Sequence, residues 1–241
     1  MREMFPETRY SAVARAASTD PEERAKSLAA LAAVYYRPVY AHLRHKWRFD
    51  PERAEDVAQS FFAAVVERSV FAAYAQERGR FRTFVRTCLD HLVESELRAQ
   101  NRIKRGGGKR FVPIDADDLE GDLAISSPAD SPEQAFDREF VRSLFGAAVA
   151  DLKVRLEGAG KAHYYALFER YDLSGSPETR PTYAALAKET GLAVTDVTNY
   201  LFFARKEFRR AVVARLREIT NDEDELREEA AEMGIDIDAV K

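Results

Sequence analysis

Residues 181–210, PTYAALAKETGLAVTDVTNYLFFARKEFRR, decide how this chain folds. Thr182 is a capping residue set before an apolar-periodic run, and Tyr183, Leu186 and Ala187 recur behind it at helical spacing. Gly191 interrupts the pattern where that helix must end, since glycine enters the left-handed turn without a Cβ penalty. Leu192 follows as the residue that packs beneath the turn. A second helix is predicted from near Thr195, with Val197, Leu201, Ala204 and Phe208 facing inward. Helix, short glycine turn, helix is the layout of a helix-turn-helix, whose second helix enters the DNA major groove. On that layout Thr195, Asp196, Thr198 and Asn199 reach base edges, while Lys206, Arg209 and Arg210 lie nearer phosphates. Many helical hairpins that bind nothing share this spacing, so the motif alone leaves DNA binding open.

Upstream, three helix starts are written with the same chemistry. TDPEE, FDPER and DSPEQ each place a capping side chain (Asp20, Asp50, Ser131) before a proline at the first helical position, with Glu in the first turn. Helices are therefore predicted from near 21, 51 and 132. Gly79 marks a break, and GRFRTFVRTCLDHLVESELRAQNRIKR restarts a long helix that Gly106, Gly107 and Gly108 end. At 100° per residue Phe81, Val85, Cys88, Leu89 and Leu92 share one face of it. Thr83, Thr87, Asp90, Glu94, Arg98, Asn101 and Arg105 lie opposite. Residues 20–112 thus form a helical block of about three main helices.

The formal charge of −4 hides a segregation of sign. Residues 115–139 hold nine acids and one Arg, and residues 218–241 hold ten acids against Arg227 and Lys241, so the remainder is net basic. The most basic stretch is RAQNRIKRGGGKR, residues 98–110, which contains no acid and ends the long helix in an exposed stripe suited to phosphate contact. The acidic, Ser- and Pro-containing stretch from 115 to about 131 reads as a linker. The acidic C-terminus, 218–241, reads as a solvated appendage.

With 241 residues, 46% of them hydrophobic, the chain has enough apolar material for one large core or two small ones. Ala, Leu, Glu and Arg dominate and no alternating β-branched run occurs, so the expected fold class is all-α. Cys88 is the single cysteine, read as a small core residue. No charged-then-apolar leader and no 18-residue apolar span is seen, so the expected location is the cytosol, with no membrane contact. His42 and His45 share a helix face, but no metal-ligand spacing surrounds them. KRGGGKR follows a helix rather than a strand and lacks nucleotide-loop spacing. No enzyme chemistry, metal or cofactor is expected.

Two small helical blocks, the first ending in a basic helix and the second a helix-turn-helix, carry a resemblance. Over roughly residues 20–217 the chain resembles the extracytoplasmic-function (ECF) sigma factors, the two-domain minimal form of bacterial sigma factors of the sigma-seventy class. The matching stretches are YYRPVYAHLRHKW, ERAEDVAQSFFAAVVER, GRFRTFVRTCLDHLVESELRAQNRIKRGGG and TYAALAKETGLAVTDVTNYLFFARKEFRR. DEDELREEAAEMG is similar to a subgroup with a C-terminal extension.

The resemblance implies a sigma region-two-like domain at 20–112 and a region-four-like domain at 132–217. An N-terminal extension, 1–19, precedes them, an acidic linker, 113–131, joins them, and the acidic tail, 218–241, follows. The implied partners are core RNA polymerase, through its β′ clamp helices and β flap, promoter DNA, and an anti-sigma factor or other regulator. Glu55, Asp56 and Gln59 match the polymerase-docking signature, with Arg53 where the family carries its first acid. YAQERGR, residues 74–80, matches the loop that captures a flipped base, offering Tyr74, Gln76, Arg78 and Arg80. His91, Arg98, Asn101, Arg102, Lys104 and Arg105 would follow the downstream element, with His91 and Ser95 where relatives carry Asn and Asp. The upstream element falls to Thr195, Asp196, Thr198, Asn199, Phe203, Lys206 and Arg209. Of the two adjacent aromatics, Phe202 is read as core and Phe203 stays among the candidate contacts.

Two other readings compete. One is a helix-turn-helix regulator that binds duplex DNA without polymerase, and the other a helical adaptor whose segregated charge only solubilises it. Within the tail, Leu226, Ala230 and Met233 could form an amphipathic helix that covers a basic face, against the plainer expectation of a solvated tail.

Overall fold

Helix starts fall where capping chemistry puts them. The structure, a computed structural model, describes residues 20–68, 80–103, 131–174, 179–220 and 222–240. Helix α1 (Pro21–His45) opens with the Asp20 carboxylate accepting the Glu22 N–H at 2.9 Å. In α2 (Pro51–Arg68) Asp50 accepts the Arg53 N–H at 2.8 Å. After α3 (Phe81–Ile103) comes α4 (Pro132–Gly158), where Ser131 and Gln134 cap each other reciprocally at 3.2 and 2.9 Å. There follow α5 (Ala162–Phe168) with a π turn at Glu169–Leu173, α6 (Tyr183–Thr190), α7 (Val194–Ile219), α8 (Glu223–Glu232) and a 3₁₀ turn at Asp238–Val240. Among the described residues there is no strand, as the all-α expectation requires. No described helix is long and apolar enough to cross a membrane.

The chain forms two compact units. The first comprises the described residues up to Ser143 together with Arg217–Leu226; the second comprises Leu144–Leu216 and Arg227 onward. The expected boundary at 131/132 is thereby displaced into α4. Its first turns belong to the N-terminal unit because Phe136 and Phe140 pack there, the Phe140 ring 5.3 Å from Tyr35. Tyr35 also meets Phe81 edge to face at 5.5 Å, so one α1 side chain joins α3 and α4. Glu139, 1% exposed, accepts from Arg37 at 3.1 Å, and Arg82 reaches Asp137 at 3.2 Å.

Helix α3 sits at a different rotation from the one its wheel suggests. Phe81, Val85, Leu89 and Val93 are buried at strict four-residue spacing, while Cys88 and Leu92 are half-buried. Burial pushes the Cys88 thiol up to about 11, so it stays protonated at neutral pH. Asp90, expected on the outer face, turns inward instead. Its carboxylate accepts three hydrogen bonds from the end of α1: His42 Nε2 at 3.0 Å, Lys46 Nζ at 2.6 Å and Trp47 Nε1 at 3.0 Å. Burial opposes ionisation of Asp90, but the Lys46, His42 and Trp47 bonds outweigh it and hold the carboxyl below its usual range. Burial drives His42 the other way, below its ordinary value, against the pull of Asp90. A neutral His42 must therefore carry its proton on Nε2, the nitrogen facing Asp90.

The acidic C-terminus is not a solvated appendage. In the first unit Leu226 is buried, and the Glu225 carboxylate accepts the Phe81 N–H at 2.8 Å, capping the start of α3 from 144 residues away. In the second unit Ala230, Ile235, Ile237 and Val240 are buried, with Met233 half-buried, and Arg210 Nε donates to the Val240 carbonyl at 3.0 Å. Apolar residues interleaved among the acids supply the packing that a charge count conceals.

Both His42 and Asp90 favour the deprotonated form when folded. The unfolded chain therefore binds more protons, and stability falls as pH drops from about 6.5 toward the depressed His42 value, then falls again through that of Asp90. Urea unfolding across pH should show the first of these losses flattened in His42→Gln, and Asp90→Ala should cost about 2–3 kcal/mol at neutral pH. Glu225→Ala, which strips the cap from a buried N–H, should cost about 1–2 kcal/mol and lower the melting temperature by several degrees in thermal denaturation.

Candidate nucleic-acid interface

In the second unit the 181–210 stretch folds as its sequence dictates. Thr182 Oγ1 accepts the Ala185 N–H at 3.1 Å to start α6. Gly191, at φ 72°, ends it in the left-handed region, with the Leu192 N–H returning to the Ala187 carbonyl at 3.1 Å. The inward set is the expected one: Leu186, Ala187, Val197, Leu201 and Ala204 are buried, while Tyr183, Leu192 and Phe208 are half-buried against them. Leu152, Leu156, Tyr165, Leu167 and Phe168 of α4 and α5 complete this core.

The outer face of α7 differs from expectation at its two phenylalanines. Phe203 turns inward, 5.3 Å from the Tyr164 ring with the Lys161 ammonium 4.0 Å from its own ring centre. Tyr164 and Tyr200 stack beside it at 4.2 Å. Phe202 is the exposed one, at 65%. Helical arithmetic explains the exchange, since Phe202 stands seven residues after Thr195 and four after Thr198 and so continues their stripe. Phe203 lies a further 100° round, toward Tyr200. The same spacing in the sequence carried this information.

Thr195, Thr198 and Asn199 are exposed on that stripe, and Asp196 is half-buried beside it. Thr198 donates its hydroxyl to the Val194 carbonyl at 2.9 Å, while Asn199 makes no side-chain hydrogen bond among the described residues. Lys206 and Arg209 continue the stripe, half-buried, and have no ion-pair partner among the described residues. The cations around them are committed. Arg205 forks onto Asp172 at 2.8 and 2.9 Å, reaches the Tyr183 hydroxyl at 3.1 Å and lies over the Tyr171 ring. Those Asp172 bonds raise its already high pKa. Arg210, expected near phosphates, is bound instead to the buried Glu207 at 2.6 Å, which also takes Arg155 at 2.5 Å. Sequence reasoning had no access to this sorting, because partners such as Asp172 and Arg155 lie far away along the chain.

In the first unit the candidate docking residues separate. Glu55 is 6% exposed and faces inward, where its charge adds to burial in raising the Tyr36 pKa. Gln59 is half-buried and donates to Glu55 at 3.3 Å. Only Asp56 of the three faces solvent, and it has no ion-pair partner among the described residues. Adjacent helical residues diverge by 100°, so Glu55 and Asp56 do not share a face. Arg53 lies over the Phe49 ring at 4.0 Å.

On α3, His91, Ser95 and Arg98 are exposed, and Arg98 pairs with Glu94 at 2.9 Å across one helical turn. Arg80 precedes the helix, its carbonyl accepting from Thr83 and Phe84. Asn101 and Arg102 fall in the last turn of α3, placed by backbone alone. Tyr74, Gln76, Arg78, Lys104, Arg105 and residues 113–130 lie outside the described residues.

Scans of protein-family models, of curated proteins and of solved structures each found no match to this chain.

The assignment of the two rings has a direct consequence for stability. Phe203→Ala should cost about 2 kcal/mol in urea unfolding, through lost ring packing and the lost Lys161 contact, whereas Phe202→Ala should change stability by no more than about 0.5 kcal/mol.

Proposed function

We propose that this chain is a promoter-specificity subunit of ECF sigma type, binding core RNA polymerase and recognising two promoter elements. The observation that carries the proposal is the outer stripe of α7, where Thr195, Thr198, Asn199 and Phe202 are followed, behind a glycine turn, by Lys206 and Arg209, which have no ion-pair partner among the described residues. Groups that hydrogen-bond or touch base edges at the start of a helix, with cations one to two turns on, meet the chemistry of major-groove contact. The all-helical build and the basic stretch at 98–110 agree with the ECF resemblance, which supplies the polymerase partner and the helical domains at 20–112 and 132–217. On this reading Asp56 docks against the β′ clamp, the 113–131 linker runs toward polymerase, and the end of α3 follows promoter phosphates.

One observation favours a second reading. With Glu55 buried, the outward docking signature is reduced to Asp56 and part of Gln59, which suits a helix-turn-helix protein that binds duplex DNA without polymerase.

Binding to purified bacterial core RNA polymerase separates the two. The sigma reading expects retention by the wild type and at least a tenfold loss, about 1.4 kcal/mol, in Asp56→Lys. Salt-sensitive duplex binding with no polymerase retention selects the second reading.

A further inference from the structure

Across its first two turns α7 exposes hydrogen-bonding and methyl-bearing groups, and no cation. Thr195, Thr198, Asn199 and Phe202 occupy the stripe, and its first Lys or Arg is Lys206. The nearer Arg205 is held by Asp172 and Tyr183. Guanine is read in the major groove chiefly by bidentate Arg or Lys, so this surface lacks the commonest guanine contact. What it offers matches adenine and thymine. Asn199, free of other hydrogen bonds among the described residues, has the paired donor and acceptor that fit adenine N6 and N7. Thr198 has given its hydroxyl proton to the Val194 carbonyl, so it has a methyl group and an oxygen acceptor left to offer.

Phe202 is the decisive residue. A ring 65% exposed, in a unit that buries Phe168 and half-buries Phe203 and Phe208, forgoes burial that the fold gives its neighbours. It stands at the centre of the stripe, three residues beyond Asn199 and four before Lys206. An apolar group held between an adenine reader and a phosphate-reaching cation is placed for the C5-methyl of thymine, the one apolar feature of the major-groove edge. We infer that α7 is an A·T-selective recognition surface in which Phe202 reads thymine through its 5-methyl group. The inference rests on the DNA-contacting reading of α7 and goes beyond it in naming the base class.

The test is fluorescence anisotropy with the full chain, alone and bound to core polymerase. Three labelled duplexes are compared: A·T-rich, G·C-rich, and the A·T-rich sequence with uracil for every thymine, which removes only the methyl groups. The A·T-rich duplex should bind at least about tenfold tighter than the G·C-rich one, and uracil should weaken binding about threefold to tenfold. Phe202→Ala should abolish the uracil effect and leave the salt dependence, set by cations, unchanged. Equal affinity for thymine and uracil duplexes, or a uracil effect that persists in Phe202→Ala, overturns the inference while leaving DNA binding intact. Failure to retain any duplex at low salt, alone and with polymerase, removes the DNA-binding reading and the inference with it. A Phe202→Ala change that alters self-association in sedimentation but not DNA binding identifies the ring as a protein contact and also overturns it.

Discussion

The Asp90 carboxylate organises the first unit. Three donors from the last turn of α1 and just beyond, His42, Lys46 and Trp47, converge on its two oxygens and tie this end of α1 to α3. A half-buried carboxylate is unfavourable without such partners, and His42 in turn needs the carboxylate to accept its proton. The two groups therefore fix each other's protonation state: a deprotonated acid, and a neutral imidazole with its hydrogen on Nε2. Because Asp90 is committed inward, the rotation of α3 is set. Val85, Leu89 and Val93 go to the core, and His91, Ser95 and Arg98 go to solvent.

The second unit solves a similar problem with arginines. Arg205 ties α7 to the π turn after α5 through Asp172, and Arg215 forks onto Asp151 of α4 at 2.6 and 2.7 Å. Glu207, nearly fully buried, is compensated by Arg155 and Arg210. These bidentate and bridged pairs sort the cations of α7 into those that hold the fold and those, Lys206 and Arg209, with no ion-pair partner among the described residues. The basic count of this helix thus overstates the charge it can present to a phosphate, and the outward chemistry of its first turns is polar and aromatic.

Much of the fold was legible because the signals were local. Asp20–Pro21, Asp50–Pro51 and Ser131–Pro132 cap and start helices using atoms within three residues of one another. Thr182 and Gly191 bound α6 for the same reason. The candidate site was legible only in part. Thr195, Thr198 and Asn199 are outward as read, but Phe202 and Phe203 exchange roles because Tyr164 of α5 and Lys161 just before it offer packing to Phe203. Glu55 is buried, and nothing near it in sequence shows that α2 turns that side inward.

What the sequence determined by itself is the helical class, the helix starts and the apolar faces of α6 and α7, all fixed by interactions that span a few residues. What only the tertiary structure decided is which polar groups are free. Asp90, Glu55, Arg205 and Arg210 look like surface charge in the sequence, yet Glu55 is itself buried and the other three are taken up by a buried or long-range partner. The acidic C-terminus is the clearest case. Its charge predicts solvation, but Leu226, Ile235, Ile237 and Val240 are buried, and Glu225 accepts the Phe81 N–H at the start of α3. The physical reason is common to all of these. Capping and periodicity act through neighbours along the chain, whereas burial and charge compensation depend on groups that only folding brings within 3 Å.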